Sequence, residues 1–213
     1  LWLKDWGLTE AEIGAYTSAG IVMRLLAGLA LPVLADRMEA RRLTLALVGA
    51  VGAVLFVLHL AAGAPWVLLA LTMLTAGVFS AMMPIGDALG AAAARSFGFE
   101  YAHARAVGSA SFLVMNVAMG GALALMGADA ALWAIVACLV AAAWLGGTHP
   151  GGGRVQGGAP PSLTEMRRLV STPLFVVFAL ASGFAQASHG VQYVYASVHW
   201  RELGVAEETI GLL

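Results

Sequence analysis

The chain has 213 residues, of which 61% are hydrophobic and 11% charged, with a formal net charge of −1. A soluble domain carries about a quarter charged residues, so the expected solvent for this much apolar surface is a bilayer. The near-neutral charge gives no support to nucleic-acid binding. The single cysteine, Cys138, allows no internal disulfide and no cysteine zinc site.

A spanning helix needs about 20 apolar residues. The opening Leu1-Trp2-Leu3 reads as the outer end of a preceding helix. The first full span is predicted from Ile13 to Leu34, entered through Thr9 as N-cap with Glu12 at the third helical position. A second runs from Leu43 to Ala62. Gly63-Ala64-Pro65 then turns the chain into a third, from Trp66 to Leu89 and on toward Arg95. A fourth follows from Ala104 to Met126 and a fifth from Ala131 to Gly147. The Gly/Pro-rich stretch 151–161 has too little apolar content to pack and reads as a linker. Ser162 to Val170 suits a short amphipathic surface helix, and a sixth span runs from Pro173 to Val198.

One short passage occurs twice. Leu3-Lys4-Asp5-Trp6-Gly7-Leu8 is followed by Ile13-Gly14, and Trp200-Arg201-Glu202-Leu203-Gly204-Val205 by Ile210-Gly211. The offset from Gly7 to Gly204 is 197 positions, and it is the same for both Ile-Gly pairs. A duplicated half in a hydrophobic chain points to a transporter built from parallel repeats.

Basic residues set the orientation. One set of connections carries Arg37, Arg41, Arg42, Arg95, Arg154, Arg167 and Arg168 and is expected to face the cytoplasm. The other carries Lys4 and Arg201 among acids. The visible spans then become helices two to seven of a longer protein, with helix eight just starting.

The loop Asp36-Arg37-Met38-Glu39-Ala40-Arg41-Arg42 resembles the Asp-Arg-x-Gly-x-Arg-Arg loop of the major facilitator superfamily. Asp36, Arg37, Arg41 and Arg42 match, while Pro32 and Glu39 stand where the motif has glycines. A second stretch, Pro84-Ile85-Gly86-Asp87-Ala88-Leu89 and then Glu100-Tyr101 through Arg105 to Gly108-Ser109, is similar to the helix four to five region of the 3-phenylpropionic acid transporters and of lactose permease. In those relatives an acid precedes the arginine by the spacing seen from Asp87 to Arg105. Gln186, His189 and Tyr193 resemble the phenylpropionate group again.

The resemblance implies an all-α membrane protein with the major facilitator fold of two six-helix repeats, here a fragment from the end of helix 1 to the start of helix 8. Residues 1–147 would be the N-terminal half, 148–172 the central cytoplasmic loop and 173–213 the start of the C-terminal half. Asp36, Arg37, Arg41 and Arg42 would form the conformational loop motif.

An ionised side chain at mid-bilayer costs about 2.5–3.5 kcal/mol and stays only if paired, hydrated or snorkelling. Arg24, near mid-depth, either contacts a substrate anion or is a structural arginine. Asp87 is a candidate proton carrier or hydrogen-bond acceptor, against a solvated helix-end acid. Arg105 offers a bidentate fork to Asp87 or to a substrate carboxylate, against one more positive-inside arginine. His189 suits a proton relay, with Gln186 and Tyr193 at helical spacing around it, against a packing histidine. Asn116 reads as interhelical glue and His59 as interfacial, and the runs Gly49 to Ala53 and Gly120 to Ala124 allow close helix packing.

The expected function is secondary active transport in a bacterial inner membrane. A proton would drive uptake of a small aromatic carboxylate, with an oligosaccharide or nucleoside as the rival cargo. A polytopic membrane enzyme or receptor is the rival of another class. No metal-ligand cluster, nucleophile–base pair or nucleotide motif supports an enzyme, and no cofactor or metal is expected. The expected partners are the lipid bilayer, the substrate and the proton, with the protein acting as a monomer and binding no nucleic acid.

Overall fold

A computed structural model describes residues 2–127, 129–149 and 162–210, with the backbone alone at 191–194, 197, 207 and 208. The elements are α1 (Trp2–Asp5), α2 (Glu10–Arg37), α3 (Arg41–Leu60), α4 (Pro65–Phe79), α5 (Met82–Phe97), α6 (Tyr101–Met126), α7 (Asp129–Thr148), α8 (Leu163–Val170), α9 (Pro173–Ser188), α10 (Gly190–Glu202) and α11 (Glu207–Ile210). No strand occurs among the described residues. The linker predicted at 151–161, with Arg154, lies outside them.

Five runs are long and apolar enough to cross a membrane: Glu10–Arg37, Arg41–Leu60, Pro65–Phe97, Tyr101–Met126 and Asp129–Thr148. Counting the bent pair Leu163–Val170 and Pro173–Ser188 as one span would give six. Large side chains such as Leu25, Leu29, Val114 and Trp144 stand exposed. Lipid tails are as apolar as leucine, so such faces need no protein cover.

Local chemistry explains where the helices begin and end. Thr9 caps α2 in a capping box: the Glu12 N–H donates to the Thr9 hydroxyl at 3.3 Å, and the Thr9 N–H donates to the Glu12 carboxylate at 2.9 Å. Ser162 and Glu165 repeat the device on α8. The duplicated passage folds the same way in both copies. The Leu8 N–H reaches Leu3 O and the Gly7 N–H reaches Lys4 O, with φ +105° at Gly7. The Val205 N–H reaches Trp200 O and the Gly204 N–H reaches Arg201 O, with φ +77° at Gly204. Both are Schellman helix ends closed by a left-handed glycine.

The end of α2 is built alike, but with glutamate at the left-handed position. The Ala40 N–H donates to Ala35 O, the Glu39 N–H donates to Asp36 O, and Glu39 has φ +51°. The turn of the resembled motif is therefore made without its glycine. A left-handed conformation costs a residue with a Cβ roughly 1–2 kcal/mol. Glu39→Gly is expected to raise stability by up to about 1 kcal/mol, read as a higher unfolding midpoint of the purified protein. Asp36 is fixed across this turn by Arg41, whose Nε donates to Oδ1 at 2.5 Å.

Two spans predicted as continuous are interrupted. The third breaks between Phe79 and Met82, and the sixth breaks at His189, between α9 and α10. At each break a serine turns its hydroxyl back onto the helix: Ser80 onto Gly77 O at 2.6 Å and Ser188 onto Ala185 O at 2.7 Å. Such bonds compete with the helical ladder. Pro84 adds to the first break, since it has no N–H for the carbonyl of Ser80, and Gly190 adds to the second.

By packing, the chain forms two units, one of α1–α7 with α11 and one of α8–α10. In the first, α3 lies along α7, and α2 and α3 both pack on α4. Ala35, Val48, Ala81, Ile85 and Leu89 form a buried cluster around the α4–α5 break. The Arg42 guanidinium donates to Gly147 O at 2.8 Å, which brings the end of α7 to the start of α3.

Candidate functional site

Asp87 lies on the second turn of α5 and Arg105 on the second turn of α6, so the Gly98 turn folds one onto the other. Gly98 has φ +70° and receives the end of α5 through its N–H to Ala94 O. Arg105 Nη1 donates to Asp87 Oδ1 at 2.7 Å. The Arg105 and Asp87 side chains keep 54% and 45% of their exposure, so the described residues do not bury the pair. A third group joins them. The Tyr101 hydroxyl donates to the same Oδ1 at 2.7 Å.

Sequence reasoning did not single out Tyr101. The signal was present, since Tyr101 and Arg105 are one helical turn apart and share a face of α6. Both therefore reach the same carboxylate on the neighbouring helix. Gly90, one turn beyond Asp87 on α5, makes room for the tyrosine ring. A Cβ at Gly90 would stand 2.8 Å from Tyr101 Cε2.

Arg24 sits elsewhere in the same unit. It makes no hydrogen bond or ion pair among the described residues and stands exposed on α2. It lines a cavity of about 340 Å³ with Trp2, Phe56, His59, Thr75 and Phe79 among its walls. The Thr75 hydroxyl is buried there without a hydrogen-bond partner. His59, at the end of α3, is buried, 7% exposed. Its Nδ1 lies 2.8 Å from Leu55 O, and its ring stacks on Phe56 with Trp2 edge-on. Trp2 Nε1 in turn donates to Asp129 at 3.1 Å.

A second cavity, of about 450 Å³, is lined by Met82, Met115, Asn116, Met119 and Cys138. Asn116 lines this cavity, and its side chain makes no hydrogen bond among the described residues. No group of three or more His, Cys, Asp or Glu side chains gathers among the described residues.

The remaining candidates belong to the second unit. Gln186 is exposed on α9, and its carbonyl accepts the backbone N–H of His189. His189 occupies the junction of α9 and α10 rather than mid-helix. Tyr193 falls on α10, and its side chain lies outside the described residues. Of the predicted site residues, Asp87 and Arg105 are joined directly. Arg24 is not bonded to either.

The sequence pattern of the MFS_1 like family matches residues 1–213, the whole chain. The chain belongs to this family of major facilitator transporters. It is a multi-pass membrane protein. It is similar to the Probable 3-phenylpropionic acid transporter of Escherichia coli (strain K12), 28% identical over 224 residues, covering 100% of this chain and 56% of that protein. The chain thus spans about half the length of this curated relative. No solved structure matches it significantly.

Proposed function

We propose that this chain belongs to a proton-linked transporter of a bacterial inner membrane that takes up a small aromatic carboxylate, with 3-phenylpropionate as the leading candidate. The observation that carries the reading is the half-exposed Asp87–Arg105 pair, held at 2.7 Å. A guanidinium on an apolar span is retained where it has charge to bind. In the empty state Asp87 supplies that charge, and in the loaded state the substrate carboxylate takes its place. Arg24, beside Phe56, Phe79 and Trp2, is the second candidate contact for an aromatic acid. Asp87 or His189 carries the proton, and two helical halves rock about the site to expose it alternately. The relative's printed name supports the cargo.

The test uses the full-length protein in de-energised vesicles, with 3-phenylpropionate, a sugar and a nucleoside added in turn while external pH is followed. Alkalinisation with the aromatic acid, lost in Asp87→Asn and in Arg105→Gln, is the expected result. Alkalinisation with the sugar or nucleoside alone would replace the cargo. No pH change with any of them would sink proton coupling.

A further inference from the structure

Asp87 Oδ1 is a shared acceptor. Arg105 Nη1 and the Tyr101 hydroxyl both donate to it, each at 2.7 Å. The ion pair is therefore end-on, through one nitrogen and one oxygen. It is not the two-bond fork that arginine and carboxylate commonly form. A guanidinium carries five N–H donors in a rigid planar array, and Arg105 makes no other ion pair among the described residues. The hydroxyl of Tyr101 is what differs from a simple pair. It takes up part of Oδ1 and ties Asp87 to the start of α6. Its place depends on Gly90, because a Cβ there would collide with the tyrosine ring at 2.8 Å.

Among the described residues, Asp87 takes its hydrogen bonds from Tyr101 and Arg105 alone. α4 has no titratable side chain, and those of α3 are Arg41, Arg42 and His59. Arg41 is engaged by Asp36, Arg42 by Gly147 and His59 by Leu55.

We infer that Tyr101 is a positioning residue that sets selectivity for carboxylates: by holding Asp87 to an end-on contact, it keeps the fork of Arg105 open for an incoming carboxylate. This rests on the reading that Arg105 binds the substrate's charge. Without the hydroxyl, Asp87 is free to turn both oxygens onto the guanidinium. The internal carboxylate then competes with the external one for the same donors. Phenylalanine at 101 keeps the ring against Gly90 and removes only the tether.

The experiment is calorimetric titration of 3-phenylpropionate into the purified full-length transporter and its variants. Tyr101→Phe is expected to bind about tenfold more weakly, the scale of one charge-assisted contact. Gly90→Ala, which displaces the ring while improving helix propensity, should act in the same direction. Asp87→Ala removes the internal competitor, so it should bind the carboxylate at least as well as the unaltered protein. In that background Tyr101→Phe should have no further effect, a coupling that a merely structural tyrosine would not produce. Equal weakening by Tyr101→Phe with and without Asp87 overturns the inference, as does no weakening in either. Loss of binding in Asp87→Ala overturns it too. Undiminished binding in Arg105→Gln instead overturns the reading beneath it, which separates the two failures.

Discussion

Arg105→Gln is expected to weaken 3-phenylpropionate binding by roughly a hundredfold, equivalent to about 2.7 kcal/mol. Glutamine keeps a polar side chain, two bonds shorter, but loses the positive charge and the two-donor fork. A carboxylate leaving water needs both, because each charge-assisted bond offsets part of its desolvation. Arg105→Lys separates the two contributions. It restores charge as a point donor without the planar fork, so its affinity should fall between the other two. The effect on the empty protein should be small, since the pair is about half exposed and exposed ion pairs contribute about 0–1 kcal/mol. Equal unfolding midpoints beside a large affinity loss would therefore place Arg105 in binding rather than in folding. A neutral sugar as cargo would reverse the ranking, with Asp87→Asn the more damaging change. Affinity for 3-phenylpropionate that survives in Arg105→Gln but falls in Arg24→Gln would move the charge site to the cavity of Trp2, Phe56 and Phe79.

Much of the fold is legible because it is decided locally. A run of about 20 apolar residues can satisfy its backbone in lipid only as a helix, so the span boundaries lie within a few residues of their predicted places. Thr9 and Glu12 sit at capping-box spacing, and they make the box. Gly7 and Gly204 close their helices in the same way in both copies of the duplicated passage. The breaks at Ser80 and His189 were less legible. A serine in an apolar run reads as helix-compatible until its hydroxyl turns inward, and that depends on what packs beside it. Glu39 shows the opposite case. Its left-handed φ contradicts residue preference and follows from the helix end around it. At the candidate site, the spacing of Asp87 and Arg105 suggested a pair, whereas the tyrosine bond needed the register of α6 against α5. The cavities at Arg24 and Asn116 draw walls from several helices. Non-local packing of that kind leaves no mark on any one segment.

The largest structural effect is expected at Gly49, where α3 crosses α7. A Cβ at this position would lie 2.8 Å from the Ala143 backbone nitrogen and 2.9 Å from the Leu139 carbonyl oxygen. Both obstacles are backbone, so no rotamer change relieves them. Gly146 faces the same crossing from the other side, 3.0 Å from Leu45 Cγ and 3.1 Å from the Ala46 nitrogen. Helices in lipid gain little from burying apolar surface against each other, and their association relies on close van der Waals contact. Pushing α3 outward therefore removes the attraction that holds the pair. Gly49→Ala is expected to destabilise the transporter by about 1–3 kcal/mol, the range for overpacking a close contact, and Gly49→Leu to prevent its recovery as a folded, monodisperse protein. Gly121→Ala is the control, since a Cβ there meets nothing within 4 Å and alanine favours the helix. Unfolding midpoints of purified Gly49→Ala, Gly121→Ala and the unaltered protein in one detergent decide the matter. A Gly49→Ala midpoint equal to that of Gly121→Ala would mean that α3 and α7 do not meet through this backbone contact.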